Sequence, residues 1–166
     1  MGMYADLYWT DPLRFWLRTF LAWCPQVRIT EEKRTSAQTY TVGDRASVER
    51  RVTELDVLIF ALLTGDKNPV HLDASYARET RFKGVIAHGL FTLTLVGTVF
   101  GFVFPGPGAI YLEQSVRFKA PVRPGDVLVA SVEVAELLPH NRARFVTTVR
   151  VQDKVVLEGE AVLLLP

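Results

Sequence analysis

A chain of 166 residues has room for one ordinary hydrophobic core, or one domain with an extension, and is short for two full domains. Its 19 basic and 18 acidic residues leave a net charge of +1, so the chain as a whole lacks the positive field of a nucleic-acid binder. A single cysteine, Cys24, excludes an intramolecular disulfide and Cys-rich zinc sites; the three histidines, His71, His88 and His140, form no helix-spaced pair, and no metal is expected.

Residues 1–35 differ in character from the rest and carry all three tryptophans, Trp9, Trp16 and Trp23. Asp11 followed by Pro12 is a helix start, an N-cap acid with proline at the first helical position. Leu13, Trp16, Leu17, Phe20, Leu21 and Cys24 then recur at helical spacing up to Pro25, with Arg14 and Arg18 on the other face. This predicts an amphipathic helix that packs on the domain or on a partner subunit, with a membrane-surface anchor as the alternative, and makes Cys24 a core thiol rather than a nucleophile. Asp6 and Asp11 argue against a mitochondrial presequence, and there is no signal-peptide pattern, so a cytoplasmic protein is expected. Glu31 to Ala37 is polar and charged and reads as a linker, which divides the chain into an extension, 1–35, and a main domain, 36–166.

Tyr40 to Val52 reads as strand, interrupted by a turn at Gly43-Asp44, with Ala46, Val48 and Arg50 alternating against Ser47, Glu49 and Arg51. From Thr53 the period changes to that of a helix, with Thr53 as N-cap and Leu55, Leu58, Ile59, Leu62 and Leu63 on one face. The helix leads into T-G-D-K-N-P-V-H-L-D, residues 64–73. Five residues apart on a regular helix, Asp66 and His71 would point about 140° away from each other. Gly65 ends helices in a left-handed cap and Pro69 disfavours the helical conformation at Asn68, so the loop can fold back and aim both side chains at one point. A carboxylate and an imidazole converging on one water are a general acid/base pair. The competing reading makes Asp66 and Asn68 turn formers and His71 an ordinary loop histidine.

Asp73 caps a short polar helix that Lys83-Gly84 ends, and Gly84 to Leu112 then contains no Asp, Glu, Lys or Arg. Leu90 to Phe104 is apolar nearly all round, which predicts a helix buried on every side. Pro105 stops it short of the roughly 20 residues a bilayer requires, so no transmembrane span is expected. Strand signals follow over 109–119, 127–138, 144–152 and 155–165, joined by short polar turns that imply antiparallel pairing. A buried helix followed by these strands predicts an α+β domain, an antiparallel sheet wrapped around a long central helix.

The loop and the segments after it resemble a known family. Thr64-Gly65-Asp66, Asn68-Pro69, His71-Leu72, His88-Gly89, Pro105-Gly106-Pro107-Gly108, Phe118-Lys119-Ala120-Pro121-Val122 and Gly125-Asp126 are similar, in order and spacing, to the MaoC-like (R)-specific enoyl-CoA hydratases, over Val42 to the C-terminus. The resemblance implies the hot-dog fold, a homodimer joined sheet edge to sheet edge, a 2-enoyl thioester of CoA or of acyl carrier protein as substrate, and no cofactor beyond the CoA that belongs to the substrate.

Adding water across an activated double bond calls for a base, a proton donor to the α-carbon and hydrogen-bond donors at the thioester oxygen. Asp66 is the candidate base and His71 would hold the same water; Gly89, at the start of the buried helix, would offer backbone N–H groups to the developing oxyanion and let the thioester approach closely. Asn68 would position the loop, and His88 would fix the turn or act as a donor. Gly97 stands where similar enzymes often carry a serine near the acyl chain. Lys119, Arg117 and Arg123 are candidates for the CoA phosphates. A hot-dog thioesterase and a non-catalytic acyl-CoA-binding subunit are the alternative functions; the D-x-N-P-x-H spacing speaks against the first and the retained Asp66 and His71 against the second.

Overall fold

In the computed structural model, the described residues are 27–33 and 39–166. The predicted amphipathic helix and the segment 34–38 lie outside them. Six strands, β1 (Arg28–Lys33), β2 (Arg45–Arg51), β3 (Ile110–Phe118), β4 (Val127–Leu138), β5 (Arg142–Val151) and β6 (Lys154–Leu164), form one sheet in the order β1-β2-β4-β5-β6-β3. Every neighbouring pair is antiparallel. Between β2 and β3 come four helices: α1 (Glu54–Thr64), α2 (Pro69–Leu72), α3 (Ala74–Glu79) and α4 (Gly89–Thr98), the last continued by a π-helical turn, Val99–Val103.

The alternation along the strands puts one face of the sheet against α4. Leu128, Ala130, Val132 and Val134 of β4 and Ala143, Phe145 and Val149 of β5 are buried together with Leu95, Val96, Val99 and Phe100 in one apolar cluster. Phe145 meets Phe100 and Phe104 edge-on, with centroids 5.0 and 5.9 Å apart, the arrangement ring quadrupoles favour. A curved antiparallel sheet around a central helix is the hot-dog fold, as expected.

Three features differ from the sequence reading. Residues 31–33, read as linker, continue a strand that starts at Arg28. What holds it is its neighbour: Arg28 pairs with Glu49, Glu31 accepts from Arg45 at 2.6 Å, and the Thr30 and Ser47 hydroxyls lie 2.8 Å apart. Such pairing is between strands and leaves no local apolar period to read. The central helix is buried on its sheet side but not all round, for Leu90 and Phe102 are 59% and 71% exposed. On α1 the buried residues are Asp56, Val57 and Ala61, while Leu55, Leu58, Leu62 and Leu63 of the predicted apolar face look outward.

Candidate active site

The site is built by consecutive turns, each closed by its own side chain. Thr53 caps α1 in a reciprocal box: its hydroxyl accepts from the Asp56 N–H at 3.1 Å, and Asp56 accepts from the Thr53 N–H at 2.9 Å. At the other end Gly65 adopts φ +77° and donates to the Ala61 carbonyl, a left-handed cap that stops the helix one residue before Asp66. The Asp66 carboxylate accepts from the Asn68 N–H at 3.2 Å, and the Asn68 side chain in turn accepts from Val70, with Pro69 opening α2. This single helical turn returns the chain so that His71 faces back toward Asp66.

Two histidines are held by backbone carbonyls. His71 Nδ1 lies 2.8 Å from the Ile86 oxygen and His88 Nε2 lies 3.0 Å from the Asp66 oxygen. A carbonyl only accepts, so each of these nitrogens carries the proton, and the neutral His71 ring is left with a lone pair on Nε2. The two rings stack, centroids 3.8 Å apart and 31° between planes. One ligand-type atom from each of Asp66, His71 and His88 lies within 4.8 Å of the others, which puts the Asp66 carboxylate and the His71 imidazole within reach of one water. Asp66 is exposed, His71 half-buried and His88 buried.

His88 is also the N-cap of α4 but makes no side-chain capping bond, so the N–H groups of the first turn from Gly89 have neither an intrahelical partner nor a cap. The space a side chain would take at Gly89 is occupied: a Cβ there would come within 3.0 Å of the Phe118 ring. A cavity of about 250 Å³ opens beside this helix end, lined among others by His71, Gly89, Thr92, Phe118, Lys119 and Val122. A second, of about 360 Å³, reaches His71 from the α1 side past Val57, Leu58, Leu72 and Val85.

Asp66 and His71 are thus brought together with His88 and Gly89, the pair that begins 22 residues after Asp66. Asn68 spends its side chain on closing the turn. Lys119 lines the first cavity while paired with Glu158 at 3.1 Å. Gly97 has no atom within 4 Å of where a Cβ would stand and lines neither cavity at His71. Arg123 is committed to the Val85 and Phe82 carbonyls, bracing the loop before His88, and Arg117 is exposed on β3. Phe118, read from sequence only as part of the family motif, has no role assigned there; its packing on Gly89 joins residues 29 positions apart, which residue identity alone does not mark.

Comparison with known proteins identifies the family. The MaoC-like domain family matches residues 37–154. A 3-hydroxybutyryl-CoA dehydratase of Methylorubrum extorquens is 47% identical over 126 residues, 75% of this chain and 80% of that protein. An (R)-specific enoyl-CoA hydratase of Rhodospirillum rubrum is 46% identical over 125 residues, 75% of this chain and 87% of that protein. Among solved structures, the unliganded R-hydratase of Pseudomonas aeruginosa superposes with a TM-score of 0.74 at 42% identity, covering 85% of this chain and 89% of that one. With its fold, its loop and its relatives in agreement, this chain belongs to the MaoC-like family.

Proposed function

We propose that this protein is an (R)-specific enoyl-CoA hydratase, a hydro-lyase that adds water reversibly and syn to a trans-2-enoyl thioester and, in reverse, dehydrates the (R)-3-hydroxyacyl thioester. The observation that carries this reading is the convergence of the Asp66 carboxylate and the His71 imidazole beside the uncapped start of α4 at Gly89. The names of relatives that are 40–47% identical support the same activity.

In the proposed step a water sits between Asp66 and the His71 Nε2 lone pair. Asp66 takes its proton while the hydroxide oxygen bonds to the β-carbon. The electron pair of the double bond moves toward the thioester, and the resulting enolate oxygen is met by N–H groups at the positive end of α4. The proton then passes from the Asp66–His71 pair to the α-carbon on the same face, so one water is consumed and both groups return to their starting state. Every atom added comes from water, which is why the reading includes no cofactor. Asn68 holds the loop, and the acyl thioester reaches His71 along the cavity that Phe118 and Lys119 line.

The test is to incubate the protein with short and medium 2-enoyl-CoAs and to follow alkene loss, thiol release and product chirality together. A hydratase consumes the alkene, releases no thiol and yields the (R)-alcohol. Thiol release would make the protein a thioesterase, and binding without turnover a non-catalytic subunit.

A further inference from the structure

The buried ring of His88 has one nitrogen bonded and one left over. Its Nε2 donates to the Asp66 carbonyl at 3.0 Å, a contact that spans 22 residues of sequence. Its Nδ1 is buried with no hydrogen-bond partner, and the whole residue is only 2% exposed. The ring is packed between His71 at 3.8 Å and Phe60 at 5.0 Å. A proton on Nδ1 would bury a second donor with no acceptor and set a cation against His71, and a buried unsatisfied group is costly. The neutral ring with its hydrogen on Nε2 avoids both.

Asp66, by contrast, is exposed and otherwise lightly held. Its N–H donates to the Thr64 hydroxyl at 3.3 Å and its carboxylate accepts from Asn68 at 3.2 Å, both within its own loop. Among the described residues, the His88 bond is what ties the Asp66 main chain to another part of the fold. His88 is also the residue immediately before Gly89, so its bond joins the main chain of the candidate base directly to the start of α4, beside the His71–Ile86 and Ile86–Val70 bonds that tie the rest of the loop to the segment before it.

Resting on the function proposed above, we infer that His88 is a positioning residue: an Nε2–H tautomer that clamps the Asp66 loop to the start of α4 and holds base and oxyanion donors in one frame. Its hydrogen is spent on the Asp66 carbonyl, and it exchanges no proton with substrate.

Two variants separate the clamp from simple packing. His88→Gln keeps an N–H donor near the Nε2 position and loses the ring; His88→Phe keeps the ring against His71 and Phe60 and loses the donor. With folding checked by thermal melting and rates taken on the folded protein, His88→Gln is expected to hold kcat within about threefold, whereas His88→Phe loses on the order of 10²-fold in kcat with KM little changed, as for a misplaced reacting group. The third measurement, imidazole ¹⁵N shifts of the wild-type protein near neutral pH, is expected to show His88 protonated on Nε2 alone. Wild-type kcat in His88→Phe, an equal loss in His88→Gln, or a proton on Nδ1 would each overturn the clamp. If wild-type protein hydrates no enoyl-CoA, the functional reading fails by itself, and the ¹⁵N measurement still decides the tautomer.

Discussion

At His71 the chemistry turns on which nitrogen is occupied. The Ile86 carbonyl takes the Nδ1 hydrogen, so the lone pair on Nε2 is the one free to touch water. His71→Gln is therefore expected to lower kcat by at least about 10², the lower end of what general acid/base groups contribute, while leaving the melting temperature near wild type. Gly89 tests the other half of the site. In Gly89→Ala the new Cβ meets the edge of the Phe118 ring, a half-exposed side chain that can swing aside. The expected outcome is a stable protein with kcat/KM reduced on the order of tenfold, because the displaced ring shifts the groups around the helix start. A normal kcat/KM with Phe118 visibly moved would show that close approach at Gly89 is not needed.

At the scale of elements, α1 is the part that delivers the loop, and its first turn carries a capping box and an ion pair. Asp56 is buried, receives the Thr53 N–H and hydroxyl, and pairs with Arg50. Thr53→Ala removes half of the capping box and is expected to cost about 1 kcal/mol. Asp56→Ala also leaves Arg50 without its carboxylate and is expected to cost about 3 kcal/mol, both read from urea titrations. Equal effects of the two would mean the ion pair contributes nothing.

Elements were also where the sequence was most and least legible. The Thr53 cap, the Gly65 stop, the proline at Pro69 and the strands after Gly125 are local chemistry and could be placed before any coordinates. β1 could not, because R-I-T-E-E-K has no apolar alternation and is held by charges on β2. The leucines of α1 were rightly put on one face, but a helical period tells which residues share a side, not whether that side is covered within one chain. The link from His88 to Asp66 joins a ring to a main-chain oxygen, and nothing in residue identity marks it.

For the whole molecule, the two sheet edges are unlike. β1 is charged, whereas β3 at the opposite edge exposes Ile110, Tyr111, Leu112 and Phe118. An apolar open edge is a surface that pairs. The expected state is a homodimer joined along β3, and light scattering at micromolar concentration checks it; a monomer mass there would remove the edge-pairing argument. Deleting residues 1–26, which stops short of β1, is expected to lower the melting temperature of a still folded protein; equal stability, with lipid vesicles bound only by the intact chain, would favour a membrane-surface anchor. Among the described residues no helix is long and apolar enough to cross a membrane.

The central claim is that Asp66 and His71 act on one water as a unit, and the most direct measurement is hydration of a trans-2-enoyl-CoA by Asp66→Asn, alone and combined with His71→Gln. The single variant, folded as wild type, is expected to lose at least about 10² in kcat, and the double variant to be little worse than the worse single. Near wild-type hydration by folded Asp66→Asn, or losses that multiply in the double variant, would contradict it.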